Sequence, residues 1–292
     1  MILLTGATGT VGSALLRRLT AAGEPVRCLV RDPRRLGDQR VRVQITLGDL
    51  ANPASFRHAL RGVDTVVHLA AAIRDQPRTS IEDVNAVGTL RLVRAAERAG
   101  ARRFVYFSAL SARHHSRTRF FRAKALARTA VENSSLETTV FSPSIVYSPG
   151  DPWLTLLERC SWLPAVPVSG SGRALFQPIW AEDVADCIVA SLAAGGPPRR
   201  SFDLAGPQTL SYDDIVHVAL RPTGRRRPLA HLPLPLVRAS LNGLERVVGP
   251  KVFATWEEAE LMEEPMTTAR GTADAEALGV KPLPMAAVLG AG

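Results

Sequence analysis

The feature that most constrains this 292-residue chain is a glycine motif at its start. Residues 1–5 form an apolar run that predicts a buried strand, and the motif Gly6-x-x-Gly9-x-x-Gly12 follows at once. A helical pattern then covers residues 12–22 and is closed by Gly23. A strand that passes through a glycine turn directly into a helix is typical of the first unit of a parallel α/β sheet. The motif therefore predicts an α/β fold.

Short apolar runs alternate with helical patterns through the rest of the first half, as a parallel sheet requires. Strands are predicted at residues 1–5, 26–31, 41–47, 64–71, 104–108 and 138–141, and helices at 12–22, 53–60, 81–99 and 117–132. The second half is interrupted by proline and glycine, with strands predicted at 174–180 and 201–204 and helices at 152–160, 182–194, 234–248 and 255–264. We expect a Rossmann-type doubly wound parallel sheet over residues 1–142. A smaller C-terminal α/β substrate lobe, residues 143–292, is expected to be interleaved with the main sheet.

The glycine turn has a geometry that suits a pyrophosphate. In such a turn, free backbone N–H groups and the positive end of the helix dipole point to one place. Gly9 would let the backbone approach the phosphates, and Gly12 would allow close packing of the helix on the strand. The residues expected to bind the cofactor here are Gly6, Thr8, Gly9, Thr10, Val11 and Gly12. The alternative is a glycine-rich turn without a ligand.

The end of the second predicted strand bears on which dinucleotide is bound. A protein selective for NAD places an acid there for the ribose 2′-hydroxyl. In this chain the strand ends at Arg31, whose guanidinium matches a 2′-phosphate in charge and shape. Asp32 lies roughly 20 residues after the last loop glycine, where an acid would bind the ribose of NAD, so NAD stays an alternative cofactor. We expect NADP(H) to be preferred over NAD(H), with Asp49 either bonding the adenine amino group or serving only as a turn residue.

Composition excludes several other classes of protein. The net charge is +9, but the basic residues are scattered and aromatic residues make up only 5%, so no nucleic-acid partner is expected. Only three of the 36 basic residues are lysines, Lys124, Lys251 and Lys281. Three widely spaced cysteines fit neither a disulfide framework nor a metal site. No apolar run approaches the roughly 20 residues that span a bilayer, and the first residues leave no room for a signal peptide, so we expect a cytoplasmic protein.

Further stretches of the chain carry a family resemblance. They lie at residues 5–12, 48–50, 68–71, 83–89, 105–108, 142–151 and 177–185. Together they resemble the short-chain dehydrogenase/reductase superfamily in its extended and atypical branches, above all NmrA-like proteins and bacterial relatives of the NAD(P)-binding accessory subunit of respiratory complex I. The resemblance covers nearly the whole chain. It implies that Leu50, Ala70 and Ala71 line the cofactor site and that Asn85 bonds backbone near it.

The catalytic pattern of that superfamily is incomplete in this sequence. Members with the standard chemistry carry Tyr-x-x-x-Lys on the helix after the fifth strand and a serine at the end of that strand. Here the pattern runs from Phe120 to Lys124, and a phenylalanine can neither donate nor accept a proton. The resemblance implies that Lys124 binds the nicotinamide ribose, the alternative being a solvated helix lysine. Ser108 would polarise a substrate carbonyl or merely end the strand, with Ser111 as a competitor.

Two functions fit these residues. The first is an NADPH-dependent reductase of a small apolar carbonyl, enone or quinone-like compound, with the proton drawn from Ser108, from His114 or His115, or from water. The second is a non-catalytic NADP(H)-binding redox sensor or assembly factor. The missing tyrosine favours the second function, whereas the retained Lys124 and a complete substrate lobe favour the first. We expect a small-molecule substrate and no metal, and a protein partner or a homodimer stays open.

Overall fold

The computed structural model describes residues 1–77, 79–193, 199–248 and 254–290. Its strands are β1 (Ile2–Thr5), β2 (Val26–Val30), β3 (Gln44–Leu47), β4 (Thr65–His68), β5 (Arg103–Phe107), β6 (Glu137–Pro143), β7 (Val146–Tyr147), β8 (Val166–Ser169), β9 (Leu175–Phe176), β10 (Ile179–Trp180), β11 (Arg199–Leu204), β12 (Leu210–Ser211) and β13 (Leu229–Leu232). Its α-helices are α1 (Thr10–Ala21), α2 (Pro53–Phe56), α3 (Gly88–Arg98), α4 (Arg119–Glu132), α5 (Pro152–Cys160), α6 (Ala181–Ala193), α7 (Tyr212–Leu220), α8 (Leu234–Val248), α9 (Trp256–Leu261), α10 (Ala273–Ala277) and α11 (Met285–Val288).

The main sheet has seven strands in the order β11-β6-β5-β4-β1-β2-β3, and all of its pairings are parallel. The predicted Rossmann-type sheet is therefore confirmed. From β1 the chain builds outward through β2 and β3, then crosses back to add β4, β5 and β6 on the other side. The strand order reverses between β1 and β4, and ligands of such sheets bind at the carboxyl ends of the strands at this point.

Both faces of the sheet are covered, which explains why its central strands are apolar throughout. Successive residues alternate between the faces: Leu3 contributes to the core beneath α3, and Leu4 to the core beneath α1 and α6. A third core, around Phe121, Tyr147 and Phe176, joins residues of α4 to the C-terminal half. Three small two-stranded sheets surround it, pairing β7 with β10, β9 with β12, and β8 with β13.

The C-terminal half also completes the main sheet. Strand β11 pairs with β6 along six residues and forms the outer edge. Helix α6 packs on α1, where the Arg18 guanidinium forms ion pairs with Asp186, at 2.5 Å, and with Glu182. Residues on both sides of position 142 therefore share one sheet and one core, and the domain boundary at 142 stays a prediction.

Three predicted strands differ from those observed. Residues 174–180 form not one strand but two, β9 and β10, because Pro178 lacks an N–H and the Gln177 N–H donates to the Ser144 hydroxyl at 2.9 Å. The predicted strand 41–47 begins only at Gln44, because a 3₁₀ segment that starts at Pro33 continues to Val41. The Val41 side chain is 81% exposed. The predicted strand 64–71 ends at His68. The short strands β7, β8 and β13 were not predicted.

The predicted helix over 81–99 contains an irregular turn. Its first part is a π-helical turn, Asp83–Val87, which continues into α3. The turn carries Asn85, whose side chain is buried. π-Helical turns within α-helices occur frequently at functional sites. No helix in the described parts of the chain is long and apolar enough to cross a membrane.

Candidate functional site

The turn between β1 and α1 is built by close backbone approaches. Gly6 has a φ of +75°, and a Cβ at this position would lie 2.6 Å from the Ala70 nitrogen. A Cβ at Gly12 would lie only 2.0 Å from the Gly6 carbonyl oxygen. A side chain at either position would collide with main chain, so the glycines fix how closely α1 approaches β1 and β4.

The amino end of α1 is open to a ligand. Gly9 is the N-cap residue, it is exposed, and no side chain caps the helix. The first turn also carries no acidic residue. The N–H groups of Thr10, Val11 and Gly12 have no acceptor within the helix and lie at the positive end of its dipole. Thr8 precedes them and is partly exposed. This arrangement fits a phosphate group of a dinucleotide.

A buried histidine links the turn to the neighbouring strand and helix. The His68 ring lies 2.7 Å from the Thr5 hydroxyl through Nδ1 and 2.9 Å from the Thr89 hydroxyl through Nε2. Thr89 donates its own proton to the Asn85 carbonyl at 2.6 Å, so it must accept the Nε2 proton of His68. Because the low pKa of this buried ring keeps the imidazole neutral, Nδ1 carries no proton and accepts from the Thr5 hydroxyl. Burial, with the charge of Lys124, lowers the pKa of His68 to about 3.

The same network holds the loop after β4. The Ala70 N–H donates to the Thr5 hydroxyl at 3.3 Å. Asn85 accepts from the Ala72 N–H at 3.1 Å and donates through its amide nitrogen to the carbonyls of Ala72 and Ile81, at 2.7 and 2.8 Å. Asn85 therefore has the backbone-bonding role expected of it. Of the two alanines expected to line the cofactor site, Ala70 is partly exposed and lies beside Gly6, and Ala71 is exposed.

The carboxyl end of β2 presents a cation. Arg31 is exposed, and its guanidinium has no hydrogen bond or ion pair among the described residues. The neighbouring Asp32 is engaged in local structure, because its carboxylate accepts the Arg34 N–H at 3.0 Å and caps the 3₁₀ segment. At this position a free guanidinium therefore stands next to a carboxylate that already has a partner. This suits a phosphate better than a hydroxyl.

Asp49 and Leu50, which follow β3, have different environments. Asp49 forms a turn, in which its carboxylate accepts the Ala51 N–H at 2.9 Å and its own N–H donates to the Ser55 hydroxyl at 2.8 Å. Leu50 is buried in the core beneath α3, in contact with the position of Gly88. Asp49 therefore serves as a turn residue. Its other carboxylate oxygen, Oδ2, makes no hydrogen bond to the described residues and could accept one from a ligand.

At the end of β5, a buried lysine and a buried serine lie side by side. The Lys124 ammonium donates to the Phe107 carbonyl at 2.5 Å and is 5.7 Å from the centre of the Phe120 ring. Ser108 follows Phe107 directly, is 3% exposed, and its hydroxyl has no hydrogen-bond partner. A buried hydroxyl without a partner is costly, and a ligand oxygen would satisfy it.

The environment of Lys124 changes its acid–base behaviour. The residue is 3% exposed, so it is not a solvated helix lysine. Burial disfavours the charged amine and lowers its pKa to about 7. Near neutral pH the amine can therefore hold or release a proton. The rings of Tyr106, 5.1 Å from the nitrogen, and Phe120 form its apolar surroundings.

The other proposed acids and hydroxyls lie in less suitable places. The Ser111 hydroxyl donates to the Pro265 carbonyl, so its proton is already used. His114 and His115 are exposed, and His114 contacts the Thr129 hydroxyl at 3.2 Å. The described residues contain no group of His, Cys, Asp and Glu that could hold a metal ion. Sequence reasoning did not assign the role of His68, because its partners lie 63 and 21 residues away.

The comparison with protein families agrees with this geometry. Residues 6–194 match the model of a family described as NAD(P)H-binding. The chain belongs to this family. Relatives of this chain include the group that the sequence resembled, so the prediction of a nicotinamide dinucleotide as cofactor is confirmed at the level of NAD(P)H.

Individual relatives have diverse names. A (4-alkanoyl-5-oxo-2,5-dihydrofuran-3-yl)methyl phosphate reductase from Streptomyces griseus is 30% identical over 265 residues, covering 84% of this chain and 86% of the relative. The photosystem II assembly factor Ycf39 of Guillardia theta is 27% identical over 239 residues, covering 81% and 74%. A nucleoside-diphosphate-sugar epimerase from Staphylococcus aureus superimposes with a TM-score of 0.76 over 99% of both chains at 19% identity, which shows a shared fold.

Proposed function

We propose that this member of the NAD(P)H-binding family is an NADPH-dependent reductase of a small, largely apolar carbonyl, enone or quinone-like compound. The observation that carries the proposal is the unpartnered Ser108 hydroxyl beside Lys124. A protein that only bound the dinucleotide would gain nothing from a buried, unsatisfied hydroxyl next to a buried amine. The name of the Streptomyces relative, a reductase of an unsaturated oxo compound, supports the same class of reaction.

The chain's own residues would divide the work as follows. The amino end of α1 and Gly9 hold the pyrophosphate, and Arg31 holds the 2′-phosphate. When bound, the nicotinamide nucleotide supplies the hydride. Ser108 donates a hydrogen bond to the carbonyl oxygen of the substrate, where negative charge develops. Lys124 bonds the carbonyl of Phe107, the residue that precedes Ser108, and it holds the proton that neutralises the substrate oxygen.

The missing tyrosine fits this division of work. Phe120 occupies its place, with the ring centre 5.7 Å from the Lys124 nitrogen, and Lys124 is only 3% exposed. A buried amine with a pKa of about 7 is a stronger acid than a solvated lysine. Lys124 would therefore take over part of the proton transfer that a tyrosine performs elsewhere in the superfamily.

The activity is tested by mixing purified protein and NADPH with a panel of enones, quinones and aldehydes and following the loss of NADPH absorbance. We expect turnover of at least one compound, and a fall in kcat of about 100-fold for Ser108→Ala, the usual range for one donor at a developing oxyanion. Ser135→Ala is the matched control, because Ser135 is exposed and bonds only Glu97. NADPH binding without turnover across the panel would refute the reductase.

The preference for NADP(H) is tested at Arg31. We expect Arg31→Asp to lower the ratio of NADPH to NADH affinity by about tenfold or more, because a charge-assisted bond to the 2′-phosphate is lost and a repulsion replaces it. The two affinities are measured by fluorescence titration. An unchanged ratio would mean that another residue recognises the phosphate or that the site does not discriminate.

The second candidate function is a non-catalytic NADP(H)-binding sensor or assembly factor. One observation favours it: the Lys124 ammonium is bonded to the Phe107 carbonyl, and is not exposed at the site. The relative from Guillardia theta is named as an assembly factor. The same panel separates the two functions, since a sensor would bind NADPH and leave every compound unchanged.

A further inference from the structure

A second concave site lies away from the glycine turn. A cavity of about 190 Å³ separates the segment that begins at α2 from helix α3. We name it the arginine cleft, after the four arginines among its lining residues, Pro53, Phe56, Arg57, Arg91, Arg94, Ala95 and Arg98. It shares no residue with the turn at 6–12 or with Arg31, so it is independent of the proposed function.

The periodicity of α3 places three of these arginines on one face. Arg91, Arg94 and Arg98 follow each other at spacings of three and four residues, which brings their side chains into line along a helix. The opposite face of α3, with Leu92 and Ala96, is buried in the core, and this packing fixes the rotation of the helix about its axis. Arg57 faces this row from a 3₁₀ turn, Arg57–Leu60.

The positive charge of the cleft is not balanced by its own walls. No carboxylate lines it, and within the described parts of the chain none of its arginines forms an ion pair closer than 4 Å. Arg91 donates to the Ala51 carbonyl at 3.2 Å, and its charge is one of the smaller causes that lower the pKa of Asp83 in the preceding π-helical turn. Glu97, between Arg94 and Arg98, instead accepts the Ser135 N–H at 2.8 Å. The cleft arginines therefore repel each other.

Arginines elsewhere in the chain are balanced by carboxylates. Arg119 contacts both Asp75 and Glu82, at 2.9 and 2.7 Å, and Arg18 contacts both Glu182 and Asp186. Individual arginines of the chain are thus paired with carboxylates, whereas the four arginines around this cavity have no carboxylate partner within 4 Å among the described residues. A bound anion would remove their mutual repulsion and would use guanidinium donors that have no protein acceptor.

We propose that the arginine cleft binds the phosphate group of a soluble phosphorylated small molecule that carries at least two negative charges. Guanidinium groups match phosphate oxygens in charge and in fork geometry. The volume of about 190 Å³ is below the range of pockets that enclose a whole drug-sized ligand, so it accepts the anionic group and leaves the rest of the molecule outside. Pro53, Phe56 and Ala95 form the apolar part of the wall, and the exposed guanidinium groups stand around it.

The test is a calorimetric titration of inorganic triphosphate into the full chain saturated with NADPH, which occupies the glycine turn, at about 50 mM salt to limit screening. We expect one binding event, weakened about tenfold or more in Arg94→Gln/Arg98→Gln. The matched control is Arg40→Gln/Arg42→Gln, which removes the same charge from exposed positions elsewhere and should change the affinity less than about twofold.

Three outcomes would overturn the proposal. They are absence of triphosphate binding, equal affinity in the two double variants, and loss of the binding when NADPH is added, which would place the anion in the glycine turn. Thermal melts of both double variants verify that they are folded. If the chain binds no NADPH, the comparison of the two double variants in its absence still decides the matter, so a failure of the proposed function is distinguishable from a failure of the cleft.

Discussion

Lys124 concentrates the chemistry of this protein in a single side chain. It lies against the Phe107 carbonyl with two aromatic rings above it and almost no contact with solvent. Its ammonium keeps one strong hydrogen bond, but loses the hydration that stabilises a lysine charge in water. Because burial disfavours the charged form, it lowers the pKa of Lys124 to about 7. The adjacent residue in the chain to its hydrogen-bond partner, Ser108, has a buried hydroxyl without a hydrogen bond.

The pKa of Lys124 predicts how stability depends on pH. Between pH 7 and pH 10 the unfolded chain keeps a proton on this lysine that the folded chain has released. The contribution of Lys124 to the free energy of unfolding therefore rises with pH across this window. We expect Lys124→Met to remove that rise, so the variant gains most over the parent at pH 7 and least at pH 10. Urea unfolding of both proteins between pH 7 and pH 10 measures the difference. The buried thiols of Cys28 and Cys187 ionise within this window only in the unfolded chain, but they contribute equally to both proteins and cancel in the difference. A constant difference would contradict the lowered pKa.

Individual site residues differ in how far sequence could predict them. The spacing of Gly6 and Gly12 and the place of Lys124 after the fifth strand are local patterns, and the structure puts them where the patterns indicate. The burial of Lys124 and the neutral state of His68 depend on partners far apart in the chain. No local pattern carries that information.

At the scale of elements, long periodic segments were predicted well and short ones were not. The helix at 81–99 and the strands around β1 and β5 have enough apolar residues in register to identify them. Strands of two residues, such as β7 and β10, have no period of their own and form only because each finds the other across the lobe. The break at Gln177 depends on Ser144, a residue 33 positions earlier.

The π-helical turn, Asp83–Val87, is a further feature that the sequence did not predict. A helical pattern cannot reveal one widened turn, because the neighbouring residues keep their helical spacing. Asn85 explains the turn in physical terms, since its side chain bonds both Ala72 and the helix carbonyl of Ile81. The tertiary contact and the local irregularity therefore go together.

At the scale of the molecule, the two halves of the chain share one sheet and one hydrophobic core. Strand β11 pairs with six of the seven residues of β6, and Val184 and Ile188 of α6 are completely buried in the core beneath α1. Removing fully buried aliphatic side chains costs about 1.5–3 kcal/mol each, and a domain is stable by only about 5–15 kcal/mol in total.

We therefore predict that a fragment of residues 1–142 does not fold by itself. It would expose the α1 face and the β6 edge that the second half covers. Circular dichroism melts should show a cooperative transition for the full chain and none for the fragment. A sharp transition in the fragment would show that the boundary at 142 separates an autonomous domain, and that the contacts of α6 and β11 are secondary.

The loop after β4 has no regular secondary structure, yet Thr5 and Asn85 hold its backbone at Ala70 and Ala72. Immobilising a free loop of this kind costs about 1–2 kcal/mol for each residue that is ordered, and a ligand that had to impose the order would lose that amount of affinity. Here folding has already ordered it. A dinucleotide arriving beside Gly6 meets a finished wall, so its binding should show little of the unfavourable entropy that accompanies closure of a mobile loop.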